Sequence, residues 1–183
     1  MGNSKRTSGA PASRDHSHSH GDHTSGDAQF RELSNTELVS AGSPLDNTID
    51  LGNRIVDVLN IPGHDKASIA LYDRRIAILF TGDSLYPGRL YVRDFPAFAA
   101  SIRKLVQFTR DKPVAHILGT HIEQTRTPFV DYKVGTKHQP DEHVLEMSRG
   151  DLLELDAALT DMSAKPRKLA LRNFTLVPVI ERP

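Results

Sequence analysis

Imidazoles and carboxylates stand at the ends of short apolar runs throughout this chain, and that recurrence restricts the folds open to it. The sequence carries H-S-H-S-H-G-D-H over residues 16–23, P-G-H-D over 62–65, F-T-G-D-S over 80–84 and G-T-H-I-E over 119–123. His18, His20, Asp22, His23, His64, Asp83 and His121 give five imidazoles and two carboxylates, several of them beside a glycine. These ligand types suit zinc and similar divalent ions, and a pair of such ions activates water. Open α/β sheets place their sites where strands end and loops begin, so the pattern predicts that several strand tips meet in one pocket.

Composition narrows the alternatives. The chain has 183 residues, 38% of them hydrophobic and 25% charged, with a formal net charge of zero, which suits one globular domain with its own core. There is no cysteine, so disulfides and thiolate ligands are excluded and any metal must be held by His, Asp or Glu. Balanced charge and only 6% aromatic residues argue against a nucleic-acid surface, which would show a basic patch or stacking platforms. No run approaches the roughly 18 apolar residues of a membrane span, and the start lacks the apolar core of a secretory signal. The expectation is a soluble, cytoplasmic protein. The opening M-G-N-S-K-R has Arg6 where a myristoylation motif needs Ser or Thr.

Met1 to Asp15 is polar and is expected to be a disordered tail, with residues 16–183 forming the domain. Thr24 to Leu33 can begin a short helix with Ala28, Phe30 and Leu33 on its apolar side. Strand-like runs follow at Glu37–Ser40, Thr48–Leu51, Arg54–Ile61, Ala67–Tyr72 and Arg75–Phe80, with a tight turn at Asp73 and Arg74. The period then changes. Phe95, Phe98, Ile102, Leu105, Val106 and Phe108 fall near 3.6 spacing, with Asp94 as N-cap and Pro96 in the first turn. Val114–Leu118 reads as a buried strand, Pro140–Met147 and Asp151–Met162 as helices, and Leu169–Val179 as a final strand. Strands followed by helices give an α/β layered domain.

Residues two apart on an extended backbone share a face, so His18 and His20 can serve one position while Asp22 and His23 serve its neighbour. A loosely chelating histidine tract is the rival reading of that loop. Taken singly, His64 is more often a surface or core histidine than a ligand, and Asp83 is as often a turn former; their settings after Val56–Ile61 and Ile76–Phe80 change that. Tyr86, Arg89 and Tyr91 read equally as a pocket wall near the metals or as ordinary packing, with Leu90 among them. Arg126–Leu145 reads either as a lining of the substrate entrance or as a capping loop.

Together the four motifs, in this order, resemble the metallo-β-lactamase superfamily, with a glyoxalase II-like ligand set. The resemblance covers nearly the whole chain after residue 17. It implies an αββα sandwich carrying two metal ions, usually zinc, with iron or manganese as the other candidates. On that resemblance His18, His20 and His64 hold one ion, Asp22, His23 and His121 the second, and Asp83 bridges them. The chemistry so implied is hydrolysis of a small ester, thioester or amide, with Asp22 orienting the attacking water and moving its proton. Lack of cysteine excludes the lactamase branch with a Cys ligand, and the bridging Asp83 argues against antibiotic hydrolysis.

Three departures from the family pattern stand out. Family members have several strands ahead of the histidine loop, whereas only Met1 to Asp15 precede His16, so the expectation is an N-terminally truncated sandwich. Such a chain would leave an edge and an apolar face for a partner or a second copy to cover. Asp65 stands where the family has Thr, and Thr120 intrudes before His121. Two alternatives follow: a catalytically inactive metal-binding fragment or isoform, and a phosphodiesterase or nuclease-type member.

Overall fold

The structure, a computed structural model, describes residues 12–14, 16–33, 36–38 and 47–179. In chain order the elements are β1 (Ala12–Arg14), α1 (Gly21–Thr24), α2 (Asp27–Arg31), β2 (Thr36–Leu38), β3 (Thr48–Asp50), β4 (Ile55–Asn60) and β5 (Ile69–Asp73). They continue with β6 (Ile78–Gly82), β7 (Arg89–Val92), α3 (Phe95–Thr109), β8 (His116–Gly119), β9 (Glu146–Met147), α4 (Arg149–Asp161), β10 (Leu169–Ala170) and β11 (Thr175–Pro178).

A six-stranded sheet of order β3-β4-β5-β6-β8-β9 dominates the fold. β4, β5 and β6 pair antiparallel in succession, while β8 joins β6 in parallel. β4, β6 and β8 therefore run the same way, and their C-terminal ends share one edge of the sheet. That edge is where the chain places His64, Asp83 and His121. A three-stranded sheet of order β10-β11-β7 lies beside it, with β11 parallel to β7, and β1 pairs with β2.

Strand alternation divides the large sheet into two faces. Leu59, Ala70, Tyr72, Leu79 and Ile117 point into the main core, where they meet Phe98, Ile102 and Leu105 of α3 and Leu152, Leu155 and Leu159 of α4. Leu90, Val92 and Leu176 of the smaller sheet join the same core. The opposite face carries the cross-strand row Val58, Leu71, Phe80 and Leu118, in which Phe80 stays 37% exposed.

Local signals explain both long helices. Asp94 caps α3 by accepting the Ala97 amide at 3.1 Å, and Pro96 lies in the first turn where its missing N–H costs nothing. Buried Phe98, Ile102, Leu105 and Thr109 form one stripe along that helix. α4 opens with a capping box: Ser148 accepts the Asp151 amide and Asp151 accepts the Ser148 amide at 2.7 Å.

Several expectations are corrected. Pro140–Met147 forms no helix; it is loop followed by the short strand β9, pinned where His143 donates its amide to the Gln124 carbonyl at 2.9 Å. Leu169–Val179 is a hairpin of β10 and β11 rather than one strand, because the chain turns at 171–174. Arg89–Val92 is a strand that the alternation of the sequence left unmarked. Ala12–Arg14, placed in the polar tail, is paired with β2, and α2 buries none of its residues, Phe30 included. The Glu37–Ser40 strand is described only over Thr36–Leu38; residues 39–40 lie outside the described part, as do 1–11. Among the described residues no helix is long and apolar enough to cross a membrane.

Candidate metal centre

Three strand tips and one loop build the site. The chain turns at Pro62-Gly63 just after β4, and Gly63 takes φ +137° with its α-carbon so close to α3 that a β-carbon there would lie 2.4 Å from Cα of Phe98. Only glycine satisfies both conditions, and the turn it permits delivers His64. Asp83 follows β6 directly, and His121 follows β8 after Gly119, whose missing β-carbon leaves room for Tyr86 and the Leu85 carbonyl. The histidine loop docks onto the same edge: the Ile69 amide at the start of β5 donates to the Ser17 carbonyl at 2.9 Å. His18, His20 and His23 are thereby brought beside His64 and Asp83.

The seven side chains gather into two groups, His18, His20, His64 and Asp83 in one and Asp22, His23 and His121 in the other. In each group the potential ligand atoms all lie within 4.8 Å of one another. Nδ1 of His20 is 2.9 Å from Nε2 of His18 and 3.1 Å from Nε2 of His64. Asp83 spans the two groups. Its Oδ2 is 3.6 Å from Nε2 of His18 and 3.3 Å from Nε2 of His64, while its Oδ1 is 3.3 Å from Nε2 of His23 and 3.4 Å from Nε2 of His121. Asp22 completes the second group, with Oδ2 3.4 Å from His121 and 3.7 Å from His23.

This donor set fits metal ions on physical grounds. The buried Nε2 of His23 has no hydrogen-bond partner, a costly arrangement unless something else meets its lone pair. Three nitrogens of the first group face one point, and a neutral imidazole has a single N–H, so they cannot all satisfy one another. Nitrogens about 2.0–2.1 Å from a tetrahedral zinc ion are roughly 3.3–3.4 Å apart, close to the spacings seen.

Groups behind the rings fix which nitrogen faces inward. Nδ1 of His64 donates to the Tyr91 carbonyl at 2.9 Å, leaving Nε2 as the inward lone pair. The Ser17 hydroxyl lies 3.2 Å from Nδ1 of His18 and 2.9 Å from Nδ1 of His23, so one oxygen with two lone pairs can accept from both rings. Asp65 is 3.9 Å from Nε2 of His20 and is itself held by the Ala67 amide at 2.7 Å and the Ser19 hydroxyl at 2.9 Å. Thr120 donates its hydroxyl to Oδ1 of Asp83. Asp65, Ser17 and Thr120 were not singled out as functional by sequence, and Tyr91 was read only as a pocket wall; the departures at 65 and 120 were the only signal available.

Electrostatics favour the neutral form of His18 and His64 and the charged form of Asp83. Burial pushes His18 down to about 4, aided by His23, His64 and His20 and opposed by Asp83. Burial also lowers His64, with Asp83 and the Tyr91 carbonyl opposing it and nearby His20 and Arg93 reinforcing it. For Asp83, burial works toward protonation, but hydrogen bonding from His121 and Thr120, with the charge of the neighbouring rings, holds the carboxyl well below the usual carboxylate range. His121 moves up, chiefly through its contact with Asp83 and against its burial, with Asp22 and Glu123 adding to the rise. Neutral imidazoles and ionised carboxylates are the forms that bind metal.

Above the groups opens a cavity of about 260 Å³, whose lining includes Asp22, Asp83, Tyr86, Tyr91, Arg93 and Glu123. Tyr86 and Tyr91 are thus walls of it, while Leu90 belongs to the core. Arg89 is corrected: it turns away to Glu123 at 3.1 Å and the Tyr132 carbonyl at 2.8 Å, tying the loop after β8 to β7. Tyr86 donates its hydroxyl to the Arg89 carbonyl, and burial raises its pKa, so it stays protonated.

No family model matches the chain. It is 33% identical over 109 residues to the hydroxyacylglutathione hydrolase of Cereibacter sphaeroides, covering 51% of this chain and 43% of that protein. It is 46% identical over 44 residues to the acyl-coenzyme A thioesterase MBLAC2 of Gallus gallus, covering 24% of this chain and 16% of that protein. These matches span less than half the length of either curated relative. Among solved structures, a metallo-β-lactamase from Pontibacter korlensis superposes with a TM-score of 0.57 at 16% identity, covering 82% of this chain and 69% of that chain, which shows a shared fold. The chain thus has the metallo-β-lactamase fold and is similar over part of its length to two hydrolases.

Proposed function

We propose that this protein is a metallohydrolase that holds two divalent cations, zinc being the best fit, and cleaves a small thioester or related acyl compound with water. The observation that carries this reading is the division of Asp83, whose two oxygens face two separate groups of imidazole nitrogens. A carboxylate so placed suits a bridge between two ions. When bound, such a pair lowers the pKa of water toward about 7 and polarises a carbonyl oxygen.

The chain's own residues supply the rest. Asp22, with its side chain 59% exposed at the cavity, is the group placed to take the proton of the attacking water. The water oxygen bonds to the acyl carbon, the carbon–sulfur bond breaks with its electron pair leaving on sulfur, and the proton held by Asp22 can pass to the thiolate. Ser17 and the Tyr91 carbonyl hold the rings in place, and the hydroxyl of Tyr86, already committed to the Arg89 carbonyl, makes it a wall rather than an acid. The thioester preference rests on the two relatives, one named a thioesterase of acyl-coenzyme A and the other a hydrolase of hydroxyacylglutathione.

Elemental analysis of the purified protein, combined with thiol release from a generic acetyl thioester, tests the proposal. About two ions per chain and turnover abolished in His20→Ala and Asp83→Ala are expected. Two ions without turnover of thioester or ester would leave an inactive metal-holding domain, and cleavage of phosphodiesters alone would select the nuclease-type reading.

A further inference from the structure

We propose that Arg93 is the specificity-determining residue of this site and that the substrate carries an anionic group, a carboxylate, which it clamps. The inference rests on the hydrolase reading for its substrate and on the following geometry for its residue.

A second depression of about 480 Å³ adjoins the metal cavity, and His64 and Arg93 line both. Arg93 thus stands where the smaller space, in which the acyl carbon would react, opens into the larger one. Its position is set by backbone rather than by chance: the amides of Arg93 and Asp94 both donate to the Gly63 carbonyl, at 3.0 and 2.9 Å. The same carbonyl belongs to the turn that delivers His64, so the backbone carrying Arg93 is tied to the backbone carrying that ligand.

The charge of Arg93 is uncommitted. Among the described residues its side chain has no ion pair or hydrogen bond, and Lys66, in the wall of the larger depression, has none either. Two acids share that wall, but both are occupied: Asp65 accepts from the Ala67 amide and Ser19, and Asp94 accepts the Ala97 amide at the start of α3. The other arginine of this region, Arg89, is the opposite case, engaged by Glu123, Asp131 and the Tyr132 carbonyl. A free guanidinium beside a reactive cavity matches a carboxylate by its planar fork, with the exposed Lys66 adding a second positive charge in the same lining. The substrate class is therefore an anionic thioester or ester whose carboxylate sits a few bonds from the scissile carbonyl.

Two probes that differ only at the carboxylate test this: S-acetyl-3-mercaptopropionate and its neutral methyl ester, each assayed by thiol release from zinc-loaded protein. The wild type should prefer the acid, and Arg93→Ala should reduce the ratio of kcat/KM, acid over ester, by about 10- to 100-fold, mainly through KM. Arg93→Lys should restore part of it, as a point charge without the fork. Equal losses on both probes, or no preference in the wild type, would overturn the proposal. Binding of glutarate to metal-free protein, followed by NMR titration, decides the matter without turnover: at least tenfold weaker binding in Arg93→Ala is expected, and unchanged binding overturns it. If neither thioester is cleaved, the hydrolase reading fails, while the glutarate titration still judges Arg93.

Discussion

The carboxylate of Asp65 lies 3.9 Å from Nε2 of His20, while Nδ1 of the same ring faces His18 and His64. Where the family pattern that this sequence resembles has Thr, this chain sets a negative charge facing the outer side of His20. A carboxylate charge behind a ligating imidazole raises its basicity. Asp65→Asn, which keeps the shape, is expected to weaken metal affinity by about 10- to 100-fold in a chelator competition, with the far-ultraviolet circular dichroism unchanged.

Asp83 is the one side chain shared by both groups. Asp83→Ala should therefore lower the metal content of both positions together, whereas His121→Ala should spare the first group. Elemental analysis of the two variants distinguishes these outcomes.

Gly63 is required by conformation and by space at once. Gly63→Ala would force a β-carbon to within 2.4 Å of Phe98 at φ +137°. A loss of about 2–4 kcal/mol in unfolding free energy is expected from denaturant titration, together with displacement of His64.

Acid should destabilise the metal-free protein in a defined window. His18 is lowered from 6.5 to about 4 by its burial, so between those values the unfolded chain takes up a proton that the folded one refuses. Its contribution is full above about pH 6.5, declines as the pH falls, and is exhausted near pH 4. Thermal unfolding across this range should show a falling Tm, with a smaller slope in His18→Phe. Bound metal should be released over an overlapping range, because protons compete for the same ring nitrogens.

The capping box of α4 can be tested apart from the metal centre. Ser148→Ala removes the acceptor of the Asp151 amide and should cost about 1 kcal/mol, measured by denaturant unfolding, without altering metal content.

Helix α3 was legible because Asp94, Pro96 and the apolar stripe from Phe98 to Leu105 all state the same period. The ligand types at His64, Asp83 and His121 were legible for a related reason: each follows an apolar run closed by a glycine. Pro140–Met147 misled, since its spacing mimics a helical stripe while its backbone is held in loop form by pairing with Gln124 and by the short strand β9. β7 was hidden because Tyr86 to Tyr91 alternates poorly, and only pairing with the distant β11 makes it a strand.

What the linear chain determined by itself is the inventory: which donors exist, that cysteine is excluded, and that three of the donors follow strand-like runs. Tertiary structure alone decided their meeting. The antiparallel steps from β4 to β6 and the parallel step to β8 turn three strand ends to one edge, and the Ser17 carbonyl docks the histidine loop there. The same holds for the groups that orient those donors. Asp65 behind His20, the Tyr91 carbonyl behind His64 and the unpaired Arg93 at the cavity mouth depend on contacts between segments remote in sequence, which local propensity does not encode.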